Sequence, residues 1–171
     1  MKISYYLERS LLKLLKTKSI DEIYVIEIID EIGTCKGTFY KYYRDKYDLL
    51  FHCFQDCIYK DIPETSENWN EFISRLLSVF KENAAVVLNS FVSADMNSVR
   101  HYNEGVIRQF IVSERERRGL ETAGATYEYA LNMYAVYVTD IIMDWLRHGC
   151  KTPTEETVAL INATMPVILC S

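Results

Sequence analysis

The run Gly33-Thr34-Cys35-Lys36-Gly37-Thr38-Phe39-Tyr40-Lys41-Tyr42-Tyr43, followed by Arg44-Asp45-Lys46-Tyr47-Asp48-Leu49-Leu50, decides the fold of this chain. Just upstream, Val25, Ile28, Ile29 and Ile32 recur at helical spacing. Gly33 then enters the left-handed region without a Cβ penalty, so a helix ends there. Only Thr34 and Cys35 separate Gly33 from Lys36, so the next helix leaves at a steep angle and projects away from the first. Phe39 and Tyr43 share one face at i and i+4 and anchor this second helix. Lys36, Gly37, Thr38, Tyr40, Lys41 and Tyr42 are left to its other faces. The spacing predicts a helix-turn-helix.

The residue types left on those faces suit double-stranded DNA. Lysines reach phosphates or guanine edges, hydroxyls donate to phosphate oxygens, and a glycine lets backbone approach backbone. Ile28, Ile29, Gly33, Lys36-Gly37-Thr38-Phe39-Tyr40, Tyr42-Tyr43 and Lys46 with Leu49-Leu50 closely resemble the N-terminal signature of the tetracycline-repressor (TetR) family of transcription regulators. The resemblance covers roughly residues 1–50. It implies that Thr38, Tyr40, Tyr42 and Lys46 contact the DNA backbone, and that Lys36, Gly37 and Lys41 face or approach base edges. It also implies a homodimer on a palindromic operator, acting more often as a repressor, with a small apolar or aromatic effector and no cofactor.

Two positions depart from that signature. Cys35 stands where serine is usual at the start of the recognition helix, and a thiol accepts a capping hydrogen bond poorly. Either the helix start is loose or Thr34 takes over the cap; a redox-sensitive thiol is the competing reading. Helix 2 begins with Tyr24, Val25 and Ile26 instead of basic or hydroxyl residues, and acidic Glu27, Asp30 and Glu31 follow.

With 49% apolar residues, three prolines, six glycines and no long strand-like alternation among 171 residues, the chain reads as all-α. The expected architecture is a three-helix head over residues 1–46 and a helical ligand-binding and dimerising bundle over 47–171. The net charge of −5 is unevenly spread: residues 1–50 carry nine basic and eight acidic side chains, against ten and sixteen in 51–171. Lys36, Lys41, Arg44 and Lys46 face only Asp45 in their stretch, so the positive field is local. No apolar run is long enough for a bilayer and the N-terminus lacks a signal-peptide core, which together read as a cytoplasmic protein without a membrane partner. Five cysteines without a paired framework suit a reducing compartment.

Helix 1 is expected over Ile3 to Lys16, with Ile3, Leu7, Leu11, Leu14 and Leu15 as its apolar stripe and a break at Thr17-Lys18-Ser19. A long helix 4 from Lys46 to a stop at Pro63 would join head to body, and the polar break Pro63-Glu64-Thr65-Ser66-Glu67 follows it. Next come an amphipathic run over Trp69, Phe72, Ile73, Leu76, Leu77 and Phe80, a bend at Glu82-Asn83, and a helix from Asp95 to Arg118 whose charged end is solvated. Tyr127, Leu131, Tyr134, Val138, Ile141 and Trp145 form a heptad-like seam that Gly149 terminates. Thr152-Pro153-Thr154-Glu155 reads as an N-cap, N1 and N3 set for a last helix with Val158, Ile161, Met165 and Ile168 on one face, kinked or ended by Pro166. The expected dimer interface is Tyr134, Val138, Ile141, Trp145, Val158, Ile161 and Met165. Trp145-Leu146, Gly149 and the proline-started last helix further resemble the short TetR-like subgroup that includes dihydroxyacetone-kinase activator-like proteins.

Thirteen tyrosines leave two readings of the body. Trp69, Phe91, Tyr102, Phe110, Tyr127 and Tyr134 either line an effector pocket or fill core and seam. Cys53 and Cys57 with His52 do not complete a tetrahedral metal site, so core packing is expected there and no metal. His101 and His148 read as surface or helix-end residues. No nucleophile set or phosphate loop points to an enzyme. The runner-up function is a co-regulator whose body binds a protein instead of a small molecule.

Overall fold

The computed structural model describes residues 2–62, 66, 68–92 and 99–170. Among these, every regular element is helical. In chain order they are α1 (Ile3–Leu14), α2 (Val25–Glu31), α3 (Lys36–Tyr42), α4 (Lys46–Cys53), α5 (Trp69–Glu82), α6 (Ala84–Ser90), α7 (Val99–Arg117), α8 (Ala125–Arg147), α9 (Thr154–Ala163) and α10 (Val167–Cys170). They pack as two compact units: Met1–Asp61 with Asn83–Val99, and Ile62–Glu82 with Arg100–Ser171. The first unit runs past residue 46, where the sequence leads one to expect a division between head and body. No described helix is long and apolar enough to cross a membrane.

In the first unit, Leu7, Leu11 and Leu15 recur every four residues and are fully buried. Ser10 lies among them and donates its hydroxyl to the Ile28 carbonyl at 2.9 Å, which ties α1 to α2. Ile3 and Leu14, expected in the same stripe, are only half-buried. After the break, Ile20–Glu22 forms a 3₁₀ turn, and Ile20 and Ile23 are fully buried beside it. The long helix 4 is not uniform. From Phe54 to Ile58 the chain widens into a π-helical turn, then tightens into 3₁₀ over Tyr59–Asp61. A π turn takes an extra residue, and here Phe54, Ile58 and Tyr59 all stay buried. The stop expected at Pro63, most of the polar break after it and the helix start expected at Asp95 lie outside the described residues.

In the second unit, α5 buries Trp69, Phe72, Ile73, Leu76, Leu77 and Phe80 as its spacing predicts. The bend at Glu82-Asn83 is present, with Asn83 as the N-cap of α6 in the first unit. The charged end of α7 is not solvated throughout. Glu116, Arg117 and Arg118 are exposed as expected, but Arg115 is buried. Its guanidinium donates to the Glu121 carbonyl at 2.7 and 3.2 Å and covers the Tyr127 ring at 5.2 Å. Gly149, at φ 71°, ends α8 as expected, and the amides of Gly149 and Cys150 close back on the Leu146 and Trp145 carbonyls.

The start of α9 lies one residue later than the capping pattern suggests. Pro153 is the N-cap, with extended backbone, while the Thr152 carbonyl accepts from the Trp145 indole at 2.7 Å. The helix ends at Ala163, before Pro166, and the buried residue of α10 is Leu169, not Ile168.

The heptad seam is intramolecular at most of its positions. Tyr134, Val138, Trp145, Val158 and Ile161 are buried within the single chain. Side chains already enclosed by their own unit have little surface left for a partner. Of the seven residues expected at a subunit interface, only Ile141 and Met165 are half-buried.

Candidate nucleic-acid interface

The turn between α2 and α3 closes by backbone hydrogen bonds. Gly33, at φ 65°, donates its amide to the Asp30 carbonyl at 3.2 Å, and Thr34 donates to Ile29 at 3.0 Å. This pair of bonds is the Schellman arrangement that glycine allows. Thr34 is thus occupied in ending α2, and Cys35 is the N-cap of α3. The Cys35 side chain makes no capping hydrogen bond; its sulfur lies 3.4 Å from the Thr38 hydroxyl. That hydroxyl and the Thr38 amide hold the exposed thiol below its ordinary pKa.

Two aromatic anchors fix α3. Phe39 is fully buried, and Tyr43 is buried and donates its hydroxyl to Glu8 at 2.8 Å. Burial, reinforced by the Glu8 carboxylate, pushes the Tyr43 phenol far above its ordinary pKa, so it remains a donor. On the other faces, Lys36, Gly37 and Lys41 are exposed, Thr38 is half-buried, and Tyr40 and Tyr42 show 56% and 50% of their surface. Six of the seven expected DNA-facing residues therefore lie on this one helix, and its inward face is spent on the core.

The seventh, Lys46, is the first residue of α4 and is differently engaged. Its ammonium donates to the backbone carbonyls of Ile23 at 2.8 Å and Asp21 at 3.1 Å. Arg44, one member of the basic run, has 87% of its side chain exposed between α3 and α4. Two of the three acids of α2 are offset locally, Glu27 by Lys18 and Glu31 by Lys13, while Asp30 is exposed. Exposed pairs of this kind add little stability but do cancel negative charge beside α3. Lys18 holds Glu27 below the usual carboxylate range, aided by the Tyr24 amide.

Within the second unit, four aromatic residues form one cluster. Trp69, Phe110 and Tyr134 converge, joined by Phe72, which stacks on Phe110 with centroids 4.2 Å apart and planes 9° from parallel. The Trp69 indole donates to Asn162 at 2.9 Å and the Tyr134 hydroxyl to the Ile161 carbonyl at 2.8 Å, so the polar edges are satisfied within the unit. Phe91 belongs to the first compact unit, where it lies 6.1 Å from Phe54. Tyr102 is half-buried on α7, and Tyr127 lies beneath Arg115 with its buried hydroxyl lacking a hydrogen-bond partner among the described residues.

Two clefts open on the second unit. One, of about 520 Å³, runs between α8 and α9 and is lined by Tyr137, Ile141, Trp145 and Leu160 with Asp140 and Asp144. The other, of about 170 Å³, lies beside Trp69 and is lined by Arg115, Met165 and Leu169. Cys53 is buried and Cys57 half-buried; burial raises both thiols, as suits packing residues.

Residues 67–166 match a family model of the TetR type described as "Transcriptional regulator C-terminal region". No curated protein matches the sequence. Among solved structures, the chain is similar to the dihydroxyacetone kinase operon activator DhaS, with TM-score 0.65, 16% identity and 95% of each chain covered. It is similar to the transcriptional regulator FadR from Bacillus subtilis in complex with stearoyl-CoA, with TM-score 0.60, 17% identity and coverage of 96% of this chain and 97% of that one. The fatty acid degradation regulator FadR from Bacillus halodurans gives TM-score 0.55 at 17% identity, covering 99% of this chain and 96% of that one. At such identities the likeness is one of fold.

Proposed function

The chain belongs to the TetR family of transcriptional regulators, and on that premise we propose that it binds a palindromic operator as a homodimer through α3. The observation that carries the reading is the division of α3 and its C-cap into a buried anchor pair, Phe39 and Tyr43, and an exposed polar surface with two lysines, a glycine and two tyrosines. Lys36, Gly37 and Lys41 face base edges; Thr38, Tyr40 and Tyr42 contact phosphates. Residues 1–46 act as the reading head and 47–171 as the regulatory and dimerising part. Whether binding represses or activates depends on where the operator lies relative to the promoter. Repression is the simpler outcome, because a bound dimer occludes whatever it overlaps.

Duplexes selected from a random pool test this directly. Tyr42→Ala should weaken binding to selected and scrambled duplexes alike, whereas Lys36→Ala should change sequence preference by about 1–3 kcal/mol at one position of each half-site. Equal affinity in both variants, or a preference untouched by Lys36→Ala, refutes the assignment.

The dimer face lies one step round α8 from the buried seam. Tyr129, Met133 and Tyr137 recur every four residues along α8 and are exposed; Leu160 on α9 is 58% exposed. Tyr137, Ile141 and Leu160 border the same cleft, so two copies meeting there would bury a continuous apolar surface made of two helices from each. An aspartate at Ile141 would be enclosed without a partner, at a cost of several kcal/mol. Sedimentation of Ile141→Asp should therefore show a folded monomer, and an intact dimer would move the interface elsewhere.

For the effector, the B. subtilis FadR complex with stearoyl-CoA supports a small molecule with a long apolar acyl chain as the class to screen first. The closed Trp69, Phe72, Phe110 and Tyr134 cluster favours the second reading, in which the body binds a protein. A screen of acyl and aromatic ligands for release of bound DNA separates the two.

A further inference from the structure

Lys46 sits where a lysine is electrostatically out of place. It is the first residue of α4, at the positive end of the helix dipole, where an acidic side chain is favoured and a cation is not. Asp45 fills the favourable role there and accepts from the amides of Tyr47 and Asp48, both at 2.8 Å. The lysine turns instead across the head. Its ammonium donates to the carbonyls of Asp21 and Ile23, which lie 25 and 23 residues earlier. Asp21 is the middle residue of the 3₁₀ turn, and Ile23 is its C-cap, immediately before Tyr24, the N-cap of α2. The next residue, Tyr47, reaches the same loop: its hydroxyl donates to Asp21 at 3.0 Å, and its ring lies 5.2 Å from the Lys46 ammonium.

We propose that Lys46 is a positioning residue of the DNA-reading head, acting through the Asp21 and Ile23 carbonyls and not as a phosphate contact. The inference rests on the DNA-binding reading of α3. The helix is held between two attachments. At its start the Gly33 turn fixes it to the end of α2, and after its end the chain passes directly into α4. Lys46 ties the start of α4 to the launch of α2, so it closes the frame that sets the angle of α3. Two of the three N–H groups of the ammonium are committed to that frame.

The two roles differ in a measurable way. Neutralising a phosphate contact releases a counterion, so its loss lowers the slope of log K against log salt by about 0.9; losing a positioning contact lowers affinity at every salt concentration with the slope unchanged. The test is a salt titration of the full-length protein on the duplex selected by the wild type, with Lys46→Met as the neutral variant and Lys46→Arg as the conservative one. The expected result is affinity reduced about tenfold for Lys46→Met, an unchanged slope, and recovery in Lys46→Arg, whose guanidinium still donates to both carbonyls. Measured well below melting, a purely structural loss would leave the affinity of the folded protein unaltered, which also overturns the proposal. Should Lys46→Met fail to fold, Tyr47→Phe removes one hydroxyl from the same frame and should show a smaller drop at constant slope. A slope lower by about one unit makes Lys46 a phosphate contact and refutes the positioning role while leaving the DNA reading intact. If the wild type enriches no duplex from a random pool, it is the DNA reading itself that has failed.

Discussion

Replacing Gly37 with leucine should leave the protein folded, with equal or higher thermal stability, and abolish its binding to DNA. Gly37 lies inside α3 and is not among the residues with positive φ, so it does not need glycine's conformational freedom. A Cβ built there meets only the Cys35 sulfur, at 3.9 Å, an ordinary contact. In an exposed helix interior glycine is about 1 kcal/mol worse than alanine, and leucine ranks close to alanine. The fold therefore gives no reason for a glycine, but a helix that must press its backbone against base edges does. A leucine side chain would hold α3 off the groove by several ångströms, roughly its own length, and the contacts of Lys36 and Lys41 would be lost together. Thermal melts and binding isotherms on the same samples decide it. A lower melting temperature would make Gly37 structural, and undiminished binding would remove it from the interface.

Phe110→Ala should destabilise the second unit by about 3–5 kcal/mol, a large share of the roughly 5–15 kcal/mol typical of a domain. Phe110 stacks on Phe72 at 4.2 Å and lies 6.2 Å from Trp69, and all three are buried. Truncation would open a cavity that Trp69 and Tyr134 cannot fill while their indole and hydroxyl remain bound to Asn162 and the Ile161 carbonyl. An aromatic lining a solvent-filled pocket would cost far less to truncate, because its ring already faces water. Urea unfolding followed through Trp69 and Trp145 gives the number. A loss below about 1 kcal/mol would restore these residues as pocket walls.

What could be read in the sequence and what could not follows from the range of the forces involved. The Gly33 turn, the two-residue gap to Lys36 and the Phe39/Tyr43 anchor pair are local, because helix termination and the side on which i and i+4 residues fall depend on backbone geometry within a few residues. The amphipathic spacing of α5 and the ends of α8 at Gly149 and α9 before Pro166 were legible for the same reason. The pattern from Tyr127 to Trp145 announced burial equally well. It carried no information on what would cover it.

Tertiary structure alone decided those partners. It enclosed Tyr134, Val138 and Ile161 within one chain and left Tyr137, Met133 and Leu160 outside. It buried Arg115 over Tyr127 and turned Lys46 back onto Asp21 and Ile23. Each outcome joins residues far apart in the chain, and a hydrophobic or charged side chain is indifferent to which partner supplies its burial or its hydrogen bonds. Periodicity along the sequence thus determined which side chains turn inward. The packing of helices against one another determined what each of them meets.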